Sequence, residues 1–307
     1  RPTFLDVFQL NNFQLGSLFS VYGVVALLSY IYGGVITDRY SPRKLMSSAL
    51  FLTALGGLVL ASYPSYQTLQ ILYGYWGFTS VFLFWGAMIK ATRLWGGDNN
   101  QGKAFGFLDG GRGIVAASMG SIGVFVFTIV LTSDIESASV LERQEAFRYV
   151  ILLSSFMVAF IGLLVLIFLR NMEDKNTNFE LPLNTLTNIK GVLKNESIWL
   201  LMLIIMCAYV GYKVTDIYSL YASEVMLYDQ IEAAEVGALQ LYLQPIVCIA
   251  IGLLADRTKN MFWIIFGFVT MLIGALIFSF GIIKPDMNFI FFLSLVILAV
   301  GTYSIRA

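Results

Sequence analysis

The segment Gly34–Lys44, which reads G-V-I-T-D-R-Y-S-P-R-K, decides the fold of this 307-residue chain. It separates two apolar runs by only a few polar and charged residues. Further apolar runs of about 20 residues follow along the chain, and a helix needs this length to cross a bilayer. The runs are twice as long as a barrel strand and do not alternate, so we predict an all-α membrane protein.

We predict nine membrane spans, with boundaries good to about four residues. They are Gln14–Thr37, Leu45–Ser62, Leu69–Arg93, Ala104–Leu131, Phe147–Leu169, Ile198–Tyr221, Val236–Ala255, Met261–Ile283 and Phe289–Ser304. The longest polar segment, Asn171–Glu196, follows the fifth span. It is typical of a central loop between two helical bundles, although an ordinary long loop in an unrelated channel is an alternative.

The composition supports the membrane class and excludes several others. Hydrophobic residues make up 58% and charged residues 12% of the chain, whereas soluble proteins carry about 25% charged residues. The 19 basic and 19 acidic residues balance, so we predict no nucleic-acid partner. Without histidine, the common catalytic triads are excluded and a proton-coupled step would need Asp, Glu, Lys or Tyr. We predict no enzyme, cofactor or metal site, and we interpret Cys207 and Cys248 as small buried residues.

Basic residues indicate the orientation, because they collect in cytoplasmic loops. If the Arg39–Lys44 segment is cytoplasmic, twelve basic residues fall inside, including Arg93 and Arg306, and four fall outside. Three lie within spans, namely Lys90, Arg112 and Lys213. Since the sequence begins at Arg1 and ends just after an apolar run, we expect it to be part of a longer protein.

An internal repeat supports two related halves. Gly252–Arg257 reads G-L-L-A-D-R and echoes the first six residues of the charged segment, 218 positions earlier. An apolar span then ends in Arg93 in the first half and in Arg306 in the second, 213 positions apart. Repeats of this kind are common among secondary transporters.

The charged segment resembles the G-x-x-x-D-R-x-x-x-R-K loop between the second and third helices of the major facilitator superfamily. The resemblance implies two pseudo-symmetric bundles, with helices two to six in residues 1–171, a cytoplasmic loop in 172–196, and helices seven to ten in 197–307. Helices one, eleven and twelve would lie outside this sequence. The implied protein is a monomeric secondary transporter in the bacterial cytoplasmic (inner) membrane. Ser41 and Pro42 depart from the usual loop, where a glycine and a basic residue are common.

The same resemblance implies a gate, whose contacts form when the cytoplasmic side is closed and break when it opens. The gating residues would be Gly34, Asp38, Arg39 and Arg43 in the first copy, and Asp256 and Arg257 in the second. A simple stop signal that keeps the loop inside the cell is the alternative interpretation.

Two spans carry charges, which are costly within a membrane and usually face a cavity or a partner. Asp109 and Arg112 are three residues apart and share a helix face, with Arg112 about 12 Å from Ala104 along the axis. Gly106, Gly110, Gly111 and Gly113 surround them, and glycines allow close approach of a neighbouring helix. Either the pair binds substrate, or its two charges only neutralise each other where the helix packs against a neighbour.

In the sixth span, Lys213 and Asp216 share a face, and Lys213 lies about 22 Å from Ile198 along the axis, too deep for its side chain to reach the cytoplasm. Tyr209 and Tyr212 add polar groups nearby, and Gln240 and Gln244 share a face of the seventh span. The alternative is that Lys213 and Asp216 form a structural pair that stabilises a helix contact and does not bind substrate. The candidate substrate-binding residues are therefore Lys213, Arg112, Asp216, Asp109, Tyr212, Tyr209, Gln240 and Gln244.

The order Lys213, Asp216, Tyr221, Glu224, Val225 is similar to the seventh helix of the organophosphate:phosphate antiporters and their organic-anion relatives. The segment Lys90–Gly113 resembles the related sugar-acid and sugar-sulfonate permeases. The resemblance implies a symporter or antiporter of a small organic anion, such as a sugar-derived acid, a phosphate ester or a sulfonate, with a proton or sodium ion as coupling partner. A proton-coupled exporter of lipophilic compounds, using Asp109 or Asp216, and a non-transporting membrane scaffold are the alternatives.

Overall fold

In the computed structural model, residues 2–131, 139–170, 194–214, 218–228, 230–258 and 260–306 are described. All regular structure in these ranges is helical. The helices are α1 (Pro2–Phe8), α2 (Asn12–Arg39), α3 (Pro42–Leu60), α4 (Tyr66–Gly77), a π-helix (Phe78–Trp85), α5 (Gly86–Gly96), α6 (Gln101–Val130), α7 (Val140–Phe168), α8 (Glu196–Lys213), α9 (Tyr218–Glu224), α10 (Gln230–Ala255), α11 (Asn260–Ser279) and α12 (Asn288–Arg306).

The predicted all-α membrane class is confirmed. Within the described ranges, eight helices have the length and apolarity to cross a membrane. They correspond to every predicted span except the third, and α2 extends only two residues beyond the predicted Gln14–Thr37 at either end. The predicted third span is helical from Tyr66 to Gly96, because α4, the π-helix and α5 follow one another directly.

The charged turn between α2 and α3 takes its shape from Pro42. A residue that precedes proline is disfavoured in the helical conformation, and Ser41 is extended, with φ −66° and ψ 137°. Pro42 then occupies the first turn of α3, where its missing N–H is no loss. The departure from the usual loop sequence therefore still ends one helix and begins the next.

The sixth predicted span is described in two parts. Helix α8 ends at Lys213, residues 215–217 are outside the described ranges, and α9 covers Tyr218–Glu224. None of the residues of α8 is buried, so its many apolar side chains face outward, as they would toward lipid. The expectation of two buried cysteines is correspondingly wrong for Cys207 on α8, which is exposed, and is confirmed for Cys248 on α10.

Contacts along the backbone divide the chain into two compact units. Unit 1 comprises residues 1–94 and 118–175, and unit 2 comprises residues 95–117 and 176–307. The division into bundles at 171 and 197 stays a prediction. In addition, the first part of α6, from Gln101 to Ala117, packs with helices of the predicted C-terminal bundle.

In unit 1, α2 packs on α4 and the π-helix, while α3 packs on α7. The π-helix begins where buried Thr79 accepts a hydrogen bond from Thr53 on α3, at 2.9 Å between the hydroxyl oxygens. Near the end of α2, Lys90 Nζ on α5 donates to the Thr37 carbonyl oxygen at 2.9 Å. A cation is favourable there because the last carbonyls of a helix carry partial negative charge. Lys90 therefore holds the end of α2 that leads into the charged turn.

In unit 2, α12 packs along α11 and also contacts α10 and α8. Phe291 and Leu295 on α12, together with Tyr218 and Ala222 on α9, form a buried apolar cluster. A second cluster nearer the other end of α12 joins Ala299 and Tyr303 to Cys248 on α10. These two clusters fix the orientation of α12 and therefore the position of its last residue, Arg306, which contacts Asp109.

Candidate functional site

The predicted pair on α6 forms. Arg112 Nη1 lies 3.0 Å from Asp109 Oδ1, as the three-residue spacing on one helix face requires. The Asp109 side chain is only 10% exposed, whereas 42% of the Arg112 side chain is exposed. The carboxylate is therefore an internal group, and Arg112 reaches from it toward the surface of unit 2.

A second arginine, which the sequence analysis placed in a cytoplasmic loop, binds the same carboxylate. Arg306 on α12 places Nε 3.2 Å from Asp109 Oδ2 and Nη2 3.1 Å from Oδ1. This two-bond, side-by-side geometry is the strong form of an arginine–carboxylate pair. The repeat of Arg93 and Arg306 was the signal in the sequence, but it gave no partner for either residue.

Tyr212 joins Lys213 to this ion pair. The guanidinium carbon of Arg306 lies 4.3 Å from the centroid of the Tyr212 ring. Lys213 Nζ lies 5.8 Å from the same centroid, within the usual range of a cation–π contact. Tyr209 is next to Tyr212, with ring centroids 6.1 Å apart, and its side chain is exposed. Lys213 is itself exposed, at the last residue of α8.

Of the two predicted glutamines, Gln244 on α10 lies at the site. It is buried, and its Nε2 donates to the backbone carbonyl oxygen of Asp109 at 2.9 Å. The side chain of Gln240 and the whole of Asp216 lie outside what the structure describes. Of these residues, Arg112, Gln244 and the unpredicted Arg306 contact Asp109 directly. Tyr212 lies beside Arg306, and Lys213 and Tyr209 lie beside Tyr212.

Glycines on α6 let α10 approach closely enough to hold these groups together. A Cβ on Gly106 would lie 2.5 Å from the carbonyl oxygen of Cys248 and 3.0 Å from the Cα of Gly252. Further along, Cβ atoms on Gly110 and Gly113 would lie 2.9–3.3 Å from Ile249, Pro245 and Gln244. Close backbone approach at small residues is a common way for membrane helices to associate. The predicted role is confirmed for these three glycines and wrong for Gly111, where an added Cβ would meet no described atom within 4 Å.

Gly111 makes a matched control for a test of this contact. We expect Gly106→Val to separate α6 from α10, because the backbone of Cys248 cannot move aside as a flexible side chain would. Gly111→Val adds the same β-branched residue to the same helix and should cost little, because valine has a slightly higher helix propensity than glycine. Thermal unfolding in detergent is the measurement, and equal melting temperatures for the two variants would contradict the contact.

The second copy of the signature contacts the beginning of α6. Asp256 Oδ1 accepts from the backbone N–H of Gly102, and Oδ2 accepts from that of Lys103, both at 2.7 Å. These N–H groups belong to the first turn of α6, where a carboxylate satisfies unpaired donors and is favoured by the helix dipole. Arg257 beside it is exposed. Asp256 therefore fixes the first turn of α6 against the end of α10.

The first copy of the signature is arranged differently. Asp38 and Arg39 are exposed at the end of α2, and no hydrogen bond or ion pair joins either side chain to another described residue. Gly34 is exposed too, with nothing within 4 Å of a Cβ placed on it. Arg43, in the first turn of α3, is half-buried. The gating roles of these four residues stay predictions.

Comparison with known proteins identifies the family. Residues 2–305 match the family described as Major Facilitator Superfamily. The chain belongs to this superfamily. Its helices, its charged turn and the repeated Asp–Arg pair agree with the membership that the sequence suggested, and it is a polytopic inner-membrane protein.

Three relatives share about a quarter of their residues with the chain. Inner membrane protein YqcE of Escherichia coli K12 is 26% identical over 230 residues, which cover 74% of this chain and 52% of that protein. Inner membrane protein YihN of the same organism is 26% identical over 210 residues, covering 67% and 48%. Uncharacterized protein MG294 homolog of Mycoplasma pneumoniae is 24% identical over 270 residues, covering 80% and 55%. The chain spans about half the length of these curated relatives.

Proposed function

We propose that this protein is a secondary transporter that moves a small organic anion across the inner membrane by alternating access. The observation that carries the proposal is the charge of the site in unit 2. Arg112 and Arg306 both pair with Asp109, and Lys213 lies beside the Tyr212 ring that contacts Arg306, so these four charged side chains of the described residues carry a net charge of +2. A positive excess on membrane helices is costly unless it faces an anion or water.

The exposed parts of this cluster support an anionic substrate. Lys213 and 42% of the Arg112 side chain are accessible, while the carboxylate is not. A molecule that reaches the cluster therefore meets cations first. Tyr209, Tyr212 and the buried amide of Gln244 supply hydroxyl and amide groups nearby, which suits a substrate with its own hydroxyls. Sugar-derived acids, phosphate esters and sulfonates are the classes that combine these features.

The contacts of α6 support alternating access. In the predicted bundles, α6 belongs to the first (1–171), whereas α10 and α12 belong to the second (197–307). Three contacts join α6 to that second set of helices. Asp256, which follows α10, accepts from the first turn of α6, the glycines of α6 pack on α10, and Asp109 pairs with Arg306. A transporter needs contacts that exist in one state and are lost in the other, since only these bias the equilibrium.

The proton-coupled exporter is less well supported. A carboxylate that carries protons must be reached by them, whereas Asp109 is only 10% exposed and both of its oxygens are held by guanidinium groups. Asp216, the other candidate carrier, lies outside the described residues. A scaffold without transport would not need accessible cations beside a buried carboxylate.

Uptake into proteoliposomes tests the proposal. The full-length protein is reconstituted, and entry of radiolabelled D-gluconate, D-glucose 6-phosphate and isethionate is measured with and without an ionophore that collapses the proton gradient. We expect saturable uptake of at least one of the three anions. Export of a lipophilic cation that stops with the ionophore, with no anion uptake, would favour the exporter instead.

For Asp38 we propose the gating role that the family resemblance implies. We expect Asp38→Asn to lower the uptake rate about fivefold or more while the dissociation constant stays near that of the parent, because a gate changes the balance of states. Asp98→Asn is the matched control, since Asp98 is an exposed carboxylate on the same predicted side. Normal flux in Asp38→Asn would rule out the gate.

A further inference from the structure

We propose that Arg306 and Arg112 form the oxyanion-binding part of the transport site, and that Asp109 occupies it as a resident anion when substrate is absent. The inference rests on the proposed transport of an organic anion and adds its binding group. Arg306 was not among the residues predicted from sequence, so the structure alone brings it into the site.

The geometry around Asp109 is that of a bound carboxylate ligand. Arg306 uses Nε and Nη2, at 3.2 and 3.1 Å, to hold both carboxylate oxygens, and Arg112 holds one of them from the side at 3.0 Å. A substrate carboxylate, phosphate or sulfonate presents two oxygens with similar spacing, so it can replace the Asp109 side chain with the same donors. A single ammonium group would not distinguish these shapes.

The cluster also has donor capacity that Asp109 does not use. Nη1 of Arg306 is buried and has no hydrogen-bond partner among the described residues. Buried donors are almost always paired, so this nitrogen is a donor that an anion entering the cluster can use. Two guanidinium groups share one carboxylate, and Arg112 remains accessible enough for an anion to reach it. The ring of Tyr212, 4.3 Å from the Arg306 guanidinium, keeps that group in place during an exchange.

The exchange would connect substrate binding to helix movement. Asp109 lies on α6 and Arg306 on α12, so their pair is a tie between two helices. Arg112 lies on the same helix as Asp109 and would stay beside it. A substrate that takes over Arg306 leaves α6 without its ion pair to α12, whereas the empty site restores it. Occupancy then changes the relative stability of the two states, as coupling requires.

Anion binding by the full-length protein tests this, because a resident competitor weakens the affinity of the free ligand. If Asp109 fills the site nine-tenths of the time, its removal should tighten binding about tenfold. We therefore expect Asp109→Asn to bind radiolabelled D-gluconate or D-glucose 6-phosphate about tenfold more tightly than the parent, in low-chloride buffer. Arg306→Gln should lose binding, and Arg306→Lys should keep part of it. Asp286→Asn, which removes an exposed carboxylate from the loop before α12, should bind like the parent.

If the Asp109→Asn protein is too unstable for binding measurements, its melting temperature with and without each anion is measured instead. Each anion should raise the melting temperature of this variant more than that of the parent, because the anion supplies the missing negative charge. Equal shifts, weaker binding by Asp109→Asn, or parental binding by Arg306→Gln would each overturn the inference while uptake by the parent still upheld anion transport. Absence of both binding and uptake in the parent would overturn the proposed function together with the inference.

Discussion

Asp109→Asn is expected to lower the stability of the protein by about 3 kcal/mol, which is the lower part of the range for breaking a buried ion pair. The change removes the carboxylate that pairs with both Arg112 and Arg306. The lower part applies because Arg112 is 42% exposed and water can take over some of its interaction. Thermal or denaturant unfolding in detergent measures the effect.

A second substitution identifies which arginine depends more on Asp109. The Arg306 side chain is 19% exposed and makes two hydrogen bonds to the carboxylate, whereas Arg112 makes one and is more exposed. Adding Arg306→Gln to Asp109→Asn should therefore restore most of the lost stability, and adding Arg112→Gln should restore less. Equal recovery in the two double variants would mean that the two pairs contribute alike and that burial does not decide between them.

The sequence was sufficient for the features that depend on local pattern. Apolar run lengths predicted the helices, and Pro42 marked the point where α2 gives way to α3. The spacing of Asp109 and Arg112 predicted their pairing, because residues three apart on a helix are neighbours whatever surrounds them. The family resemblance was likewise carried by a short local segment, and the family comparison confirms it.

The missing features depend on contacts between distant parts of the chain. Arg306 is 197 residues from Asp109, and nothing in the periodicity of either helix points to the other. Gly106 and Gly111 look equivalent in sequence, but only Gly106 faces α10. Non-local packing decided each of these cases.

The second prediction with a large expected effect concerns Lys213, because its charge can be removed without disturbing a buried apolar cluster. Lys213 is exposed at the last residue of α8, a position where a cation is also favoured by the helix dipole. That favourable term is below 1 kcal/mol at an exposed site, so stability should change little in Lys213→Gln. The cation–π contact with Tyr212 is equally modest there. A large effect on binding would therefore report on the substrate.

We expect Lys213→Gln to weaken binding of the transported anion about thirtyfold, because a hydrogen bond to a charged group contributes about 2 kcal/mol. Lys213→Arg should keep part of the affinity, since the charge remains while its shape changes. Lys284→Gln is the matched control, because it removes an exposed lysine from the loop between α11 and α12. Equilibrium binding and melting temperature are measured for all three. If Lys213→Gln binds as tightly as the parent, then Arg112 and Arg306 hold the anion without it; if they prove dispensable too, proton coupling through Asp216 becomes the better explanation.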